Sequence, residues 1–231
     1  MRPVNRGDAP RAYTKYQDAI GDLEDRLGTY CSYCERRLPV SLAVEHVNPK
    51  SVSPELETVW ANFLLGCSNC NSVKGARPTN GDDFLWPDRD NTVLAFTYRA
   101  GGFAKVTGGL TDDLRIKAEA LRDIVGLDRH RHGTPDQRPA PRDKRWKDRE
   151  QVWKLATIEK ERLGLFPVNV RDLARQFIIE AAEGYGFFSV WMTVFHDDEA
   201  VRLALVQRFA GTATDCFDAH AIPRNRPNGR I

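Results

Sequence analysis

The amino-acid sequence predicts an α+β fold that is mainly helical. Several segments place apolar residues three and four positions apart, which is the spacing of amphipathic helices. Two β-rich runs, residues 92–98 and 103–107, flank the glycine turn Arg-Ala-Gly-Gly and predict a β-hairpin. Two CxxC pairs enclose another short apolar run, so we expect this part of the chain to fold around a metal ion.

Composition limits the classes of protein that fit this chain. The 231 residues carry a formal net charge of only +2, so any basic surface for nucleic acid must be local. No apolar run is long enough to span a bilayer, and the first residues lack the apolar core of a signal peptide. We therefore expect a cytoplasmic protein without membrane association.

Residues 1–28 are expected to form an N-terminal arm and a helix. Proline, glycine and arginine residues within positions 1–10 predict the arm. The helix that follows has one apolar face, formed by Tyr13, Tyr16, Ile20, Leu23 and Leu27. Gly28 comes directly after that face and predicts the end of the helix.

The rest of the chain divides by composition into three parts. Residues 29–128 contain the cysteine pairs, the predicted hairpin and a helix capped by Thr111. Residues 129–149 are basic and poor in aliphatic side chains, so they predict a loop or linker. Residues 150–231 are predicted to be helical and to serve as a scaffold or a partner-docking surface. One of these helices, capped by Asn169, is expected to turn three side chains inward: Leu173, Phe177 and Ala181.

The cysteines predict a zinc site. Cys31 and Cys34 form one CxxC pair, Cys67 and Cys70 form the other, and Cys216 stands alone. Two such turns supply four thiolates, the closed tetrahedral ligand set of structural zinc. The alternative is a pair of redox-active dithiols, but the βαβ context typical of that chemistry is absent. We expect structural Zn²⁺, and a buried cysteine without a partner at position 216.

Other polar residues near the cysteines suggest a second metal. Glu45 precedes His46, and Asn71 follows the last paired cysteine. Glu45 and Asn71 offer hard oxygen atoms suited to Mg²⁺ or Mn²⁺, while His46 suits a general base. Lys74, three residues after Asn71, either contacts a phosphate or stays on the surface. Taken alone, Glu45 could equally be a salt-bridge partner and His46 a core histidine.

The order of these residues resembles the zinc-containing HNH endonucleases of the McrA type. The resemblance covers residues 29–76, where VEHVNPK and WANFLLGCSNCNSVKG place His46, Asn62 and Asn71 at the three letters. In the layout of the whole chain, the sequence also resembles the HNH nuclease subunit of Septu-type anti-phage systems, which works with an ATPase subunit. Because no GxxxxGK[ST] motif occurs here, any ATP dependence would lie in that partner.

The HNH resemblance implies a small ββα-metal core between an N-terminal helix and a helical C-terminal half. Two strands would carry Glu45 and His46, and a helix would carry Asn71. Glu45 and Asn71 would hold one Mg²⁺ or Mn²⁺ ion, and His46 would take a proton from the water that attacks a phosphodiester. Asn62 would orient the histidine and brace its loop. Cleavage would leave 5′-phosphate ends.

These expectations indicate a metal-dependent endonuclease of double-stranded DNA that acts in anti-phage defence. Within the basic loop, the residues expected to contact nucleic acid are Arg142, Lys144, Arg145, Trp146 and Lys147. The alternative for this loop is a solvated linker. We expect Glu35 to be solvated. His130 and His132 could contact phosphate within the basic loop, but we expect them to be solvated. Two other functions stay open: a non-catalytic zinc-stapled nucleic-acid-binding or adaptor module, and an HNH nuclease that acts on RNA.

Overall fold

The computed structural model describes residues 1–79 and 81–231 and confirms an α+β fold that is mainly helical. In this part of the chain the helices are Ile20–Leu27 (α1), Ser68–Lys74 (α2), Thr92–Ala95 (α3), Asp112–Val125 (α4), Arg145–Leu165 (α5), Arg171–Tyr185 (α6), Phe188–Val194 (α7) and Glu199–Arg208 (α8). The strands are Leu42–His46 (β1), Phe63–Cys67 (β2), Phe96–Arg99 (β3) and Phe103–Val106 (β4). Among the described residues, no helix is both long enough and apolar enough to span a bilayer.

Strands β1 and β2 and helix α2 form a small ββα unit around the cysteines. The two strands pair antiparallel, with His46 opposite Phe63 and Leu42 opposite Cys67. Helix α2 follows β2 without a loop because Cys67 is its N-cap, and the Cys67 sulfur accepts a hydrogen bond from the Cys70 amide. The end of β2 and the start of α2 are therefore fixed by the residues of the second CxxC pair.

The second hairpin and the helix after it are present, but the first predicted β-run, residues 92–98, is only partly a strand. Thr92–Ala95 form helix α3, because the Asn91 side chain caps its first turn, and β3 begins at Phe96. Strands β3 and β4 pair antiparallel around the glycine turn. The Thr111 hydroxyl accepts a hydrogen bond from the Leu114 amide and caps α4, as predicted. Helix α4 ends at Gly126, whose left-handed backbone, with φ of 58°, is readily adopted by glycine.

The first residues of the chain do not form an arm, and this prediction was wrong. Met1 and Val4 are fully buried in the core, and Val4 pairs with Thr212. The Arg2 guanidinium donates to the carbonyl oxygens of Leu27 and Ala210. A pattern of proline, glycine and arginine indicates irregular backbone, but it does not indicate exposure. The segment is irregular, yet it lies between α1 and the C-terminal half.

The C-terminal half is helical, but two details differ from the prediction. Helix α5 begins at Arg145, inside the segment predicted as a loop. Helix α6 has Val170, and not Asn169, at its N-cap, and it leaves Leu173 and Phe177 55% and 61% exposed. Its buried side is formed instead by Ile178, Ile179 and Ala182. The α5–α6 end therefore carries exposed apolar side chains, which are Leu165, Phe166, Val168, Val170, Leu173 and Phe177.

Candidate functional site

The two CxxC pairs meet in one buried cluster. The four sulfur atoms, from Cys31, Cys34, Cys67 and Cys70, all lie within 4.8 Å of one another. The Cys34 and Cys67 sulfurs are 3.7 Å apart. Two sulfurs bound to one Zn²⁺ at about 2.3 Å lie roughly 3.8 Å apart in a tetrahedron, so the spacing fits this ion. The cluster therefore suggests a zinc site, as the sequence predicts.

Ionisation of the thiols also favours a cation at this cluster. Burial raises the pKa of the Cys31 and Cys70 thiols, whereas hydrogen bonding with the Cys31 thiol lowers the pKa of Cys34 and Cys67. Four buried thiols at this distance become thiolates together only when a metal ion balances their charge. Since four sulfurs close a tetrahedral site, zinc here would be structural rather than catalytic.

Cys216 does not take part in the cluster. It is fully buried, and burial raises the pKa of its thiol to about 12. A thiol held in its neutral form is a poor nucleophile and a poor metal ligand. The expectation of a buried cysteine without a cysteine partner is met within the described residues.

His46 ends β1 and is held in one orientation. Its Nε2 atom lies 2.9 Å from the Glu57 carbonyl oxygen, so Nε2 carries the proton and donates it. This leaves Nδ1 as the basic nitrogen of the neutral ring. The ring packs edge-on against Tyr16 and Phe63, with centroids 4.8 and 5.2 Å away, and only 8% of the residue is exposed. This tautomer and orientation suit a general base.

Asn62 braces the loop that holds His46. Its side-chain oxygen accepts from the Asn48 amide at 2.7 Å, and its Nδ2 donates to the Asn48 carbonyl oxygen at 2.9 Å. Nδ2 also lies 3.3 Å from the Leu56 carbonyl oxygen, one residue before Glu57. These hydrogen bonds hold the loop between β1 and β2 at Asn48 and at Leu56. The Glu57 carbonyl oxygen is thereby placed next to His46.

Glu45 faces helix α2 and forms a buried ion pair with Lys74. The Lys74 Nζ lies 2.9 Å from Glu45 Oε1 and donates to the His46 carbonyl oxygen at 2.6 Å. Lys74 is only 2% exposed, so it neither lies on the surface nor reaches a phosphate, and both predicted alternatives need correction. Burial raises the pKa of the Glu45 carboxyl, and the Lys74 ammonium partly offsets this effect.

Glu45 and Asn71 carry the oxygen donors that the sequence predicts for a hard divalent ion. Glu45 Oε1 is buried and has no hydrogen bond of good geometry in the described part of the chain, although Lys74 is close. Asn71 lies one helical turn before Lys74, on the same face of α2. Its side-chain amide makes no hydrogen bond to residues 1–79 or 81–231. A carboxylate oxygen and an amide oxygen are ligand types suited to Mg²⁺ or Mn²⁺, but Glu45 Oε1 is already paired with the Lys74 ammonium.

Residues that the sequence did not single out surround His46. The Lys50 ammonium lies 4.4 Å from the centre of the Tyr16 ring and 2.9 Å from Glu57 Oε1. Tyr16, Lys50 and Glu57 thus form a chain of contacts that starts and ends at His46. On the neighbouring strand, a Cβ atom at Gly66 would lie 2.9 Å from the Glu45 Cβ. No pattern in the sequence indicates these roles, because they depend on how β2 and the 3-10 turn Tyr16–Ala19 pack.

The predicted nucleic-acid contacts separate into exposed and buried residues. Arg142, Lys144 and Lys147 are exposed. Trp146 is half-buried, with its ring edge-on to His130 and the Arg131 guanidinium 5.0 Å from its centre. The prediction that Arg145 contacts nucleic acid is wrong. Its buried guanidinium donates to the sulfur of Cys70 and to Asp143.

Two residues expected to be solvated are buried. Glu35 is 2% exposed, and its carboxylate accepts from the Ser189 amide at 3.1 Å and from the Ser189 hydroxyl at 2.6 Å. His130 packs against Phe103, and its Nε2 lies 2.9 Å from the Gly101 carbonyl oxygen. Both side chains are thus structural, whereas His132 is exposed as expected.

Comparison with known proteins identifies part of the chain. The family model described as HNH endonuclease matches residues 31–77. This segment contains the four clustered cysteines, β1, β2 and α2. No curated protein matches the chain.

Proposed function

Because residues 31–77 are an HNH endonuclease domain, which implies nuclease-type chemistry with a metal site, we propose that this protein is a metal-dependent endonuclease of DNA. The proposal rests on the tautomer and the fixed orientation of the His46 imidazole. Its Nε2 donates a hydrogen bond to the Glu57 carbonyl oxygen, which leaves Nδ1 as the nitrogen that can accept a proton. A histidine fixed in this tautomer presents Nδ1 as the atom that can take a proton from water.

Each residue of the site then has a chemical role. His46 Nδ1 takes the proton of the water molecule that attacks the phosphorus atom. Asn62 and the Glu57 carbonyl keep the imidazole at the correct angle, because a positioned base makes the attack effectively intramolecular. Glu45 and Asn71 would hold Mg²⁺ or Mn²⁺, which would supply positive charge for the phosphate and for the leaving 3′ oxygen.

The exposed basic residues before and within the start of α5 supply the contact with the DNA backbone. Arg142, Lys144 and Lys147 present their charges to solvent and can neutralise phosphates. None of them shows a base-reading arrangement, so we propose binding to duplex DNA without strong sequence preference. Such binding weakens as the salt concentration rises.

Cleavage of supercoiled plasmid tests the proposed activity. The purified full chain should nick or linearise the plasmid in Mg²⁺ or Mn²⁺ and not in EDTA. His46→Ala should abolish cleavage while it keeps the fold and the zinc content. His196→Ala removes an exposed histidine outside the HNH segment and is the matched control. Undiminished cleavage by His46→Ala would overturn the proposed base.

A structured RNA in the same assay separates the alternatives. Cleavage of RNA alone would move the substrate from DNA to RNA. No cleavage of either polymer by the folded, zinc-loaded chain would favour the non-catalytic zinc-stapled binding or adaptor module.

We also propose, from the Septu-type resemblance alone, that the nuclease acts in anti-phage defence beside an ATPase subunit. Loss of phage protection in cells that carry His46→Ala, compared with cells that carry the unaltered chain, tests this role. Equal protection in both would contradict it.

A further inference from the structure

The first turn of helix α5 contacts Cys70 of one cysteine pair and Arg36, which lies next to the other pair. Arg145 Nη1 donates to the Cys70 sulfur at 3.0 Å. One helical turn later, Asp148 Oδ2 lies 2.6 Å from Nη2 of Arg36, which follows Cys34 by two residues. A single turn of helix, far along the chain from the cysteines, therefore reaches both halves of the candidate zinc site.

The Arg145 guanidinium is fixed by partners in three directions. Its Nε and Nη2 atoms donate to the two carboxylate oxygens of Asp143, at 2.9 and 2.7 Å. Its Nη1 also donates to the Val125 carbonyl oxygen at 2.8 Å. Only 3% of the side chain is exposed, so water does not compete for these bonds. Arginine presents several donors in a rigid plane, and a lysine ammonium cannot reproduce this set of bonds.

We propose that Arg145 is a positioning residue for the four-cysteine centre and holds the Cys70 sulfur where it binds Zn²⁺. A metal ligand that is hydrogen-bonded from outside keeps its orientation, and such outer partners strengthen metal binding. A donated N–H also stabilises a thiolate in a buried site that gathers four of them. Asp143 fixes the guanidinium, and the Arg36–Asp148 pair holds the opposite CxxC turn. Zinc retention therefore depends on α5, which lies outside the segment that carries the cysteines.

Zinc binding by the purified full chain tests this role, independently of the chemistry at His46. Zinc is competed away with a chromogenic chelator of known affinity. Because outer partners of metal ligands typically contribute 10–100-fold to affinity, Arg145→Met should bind zinc at least about tenfold more weakly. Lys144→Met removes the exposed neighbouring cation and should bind zinc like the unaltered chain. Cys67→Ser should lose the site.

Cobalt substitution gives a second measurement, which a general loss of packing would not change. In the Co²⁺-loaded protein, the thiolate-to-metal charge-transfer band reports the electron density on sulfur. Loss of the N–H donor to Cys70 should shift this band to lower energy in Arg145→Met. Arg145→Lys keeps the positive charge but lacks the planar guanidinium. If Arg145→Met does not fold, zinc affinity and the charge-transfer band are measured on Arg145→Lys instead. Unchanged zinc affinity and an unshifted band in a folded Arg145 variant would overturn the proposal.

Discussion

Lys74 and Glu45 form an ion pair, 2.9 Å between Nζ and Oε1, that is almost completely closed to solvent. The same ammonium group donates to the carbonyl oxygen of His46. One cation therefore contacts the two consecutive residues proposed as metal ligand and as base. A buried carboxylate that loses its partner keeps an uncompensated charge, which is strongly destabilising.

Lys74→Met should lower the free energy of unfolding by about 3 kcal/mol, the usual cost of breaking a buried ion pair from one side. Mn²⁺ should recover part of this loss, because a divalent ion at Glu45 replaces the missing charge. Urea unfolding with and without Mn²⁺ measures both effects. Lys50→Met is the matched control, since the Lys50–Glu57 pair is exposed to solvent and contributes little to stability. Equal destabilisation of the two variants would contradict the prediction.

Gly66→Ala should displace the Glu45 side chain, because the added Cβ would lie 2.9 Å from the Glu45 Cβ. Metal-dependent cleavage should fall about tenfold or more, since small displacements of reacting groups are costly. Zinc content should not change, because the cysteine sulfurs are untouched. Gly164→Ala adds the same methyl group in α5, where no atom lies within 4 Å, and should retain full activity. Similar activity of both alanine variants would show that β2 adjusts without moving Glu45.

Tyr16→Ala should lower kcat about tenfold at unchanged KM, because the Tyr16 ring restricts the orientation of His46. Tyr16→Phe keeps the ring and should retain most of the activity. Steady-state cleavage of a fluorescent DNA duplex measures both constants. An equal loss in the phenylalanine variant would assign the effect to the hydroxyl group, and a change confined to KM would make Tyr16 a substrate contact.

The stability of the folded chain should depend on His130 in weakly acidic solution. Burial lowers the pKa of His130, so just below about pH 6.5 the unfolded chain binds a proton that the folded chain does not. Stability should therefore decrease as the pH falls through this window. His130→Gln should make the decrease shallower, whereas His196→Gln, at an exposed site, should follow the unaltered chain. Denaturant unfolding across about pH 5–7.5 compares the three slopes, and identical slopes would contradict the assignment.

Local signals in the sequence predicted the features that depend on neighbouring residues. Thr111 caps α4, Gly28 ends α1, and the CxxC spacing brings four sulfurs together. Each of these follows from backbone geometry or ligand chemistry within a few residues.

The features that were missed depend on packing between distant segments. Helix α6 has two apolar stripes at helical spacing, and the chain buries the one that contains Ile178 and leaves Phe177 exposed. Arg145 resembles its exposed neighbours in the sequence, but it is the one whose helical position points at Cys70. The contact of Tyr16 with His46 likewise depends on where the 3-10 turn Tyr16–Ala19, just before α1, packs. Spacing alone does not decide any of these three outcomes.

The burial of Glu35 makes the HNH segment, residues 31–77, depend on the C-terminal half of the chain. The Glu35 carboxylate accepts from both the amide and the hydroxyl of Ser189, at the start of α7, and its backbone oxygen accepts from the Phe187 amide. In an isolated segment of residues 31–77, the Glu35 carboxylate would face water. The Cys70 sulfur would lose the hydrogen bond that Arg145 donates. The matched segment is therefore not a detachable module. Its graft into another protein would have to bring α5 and α7 with it.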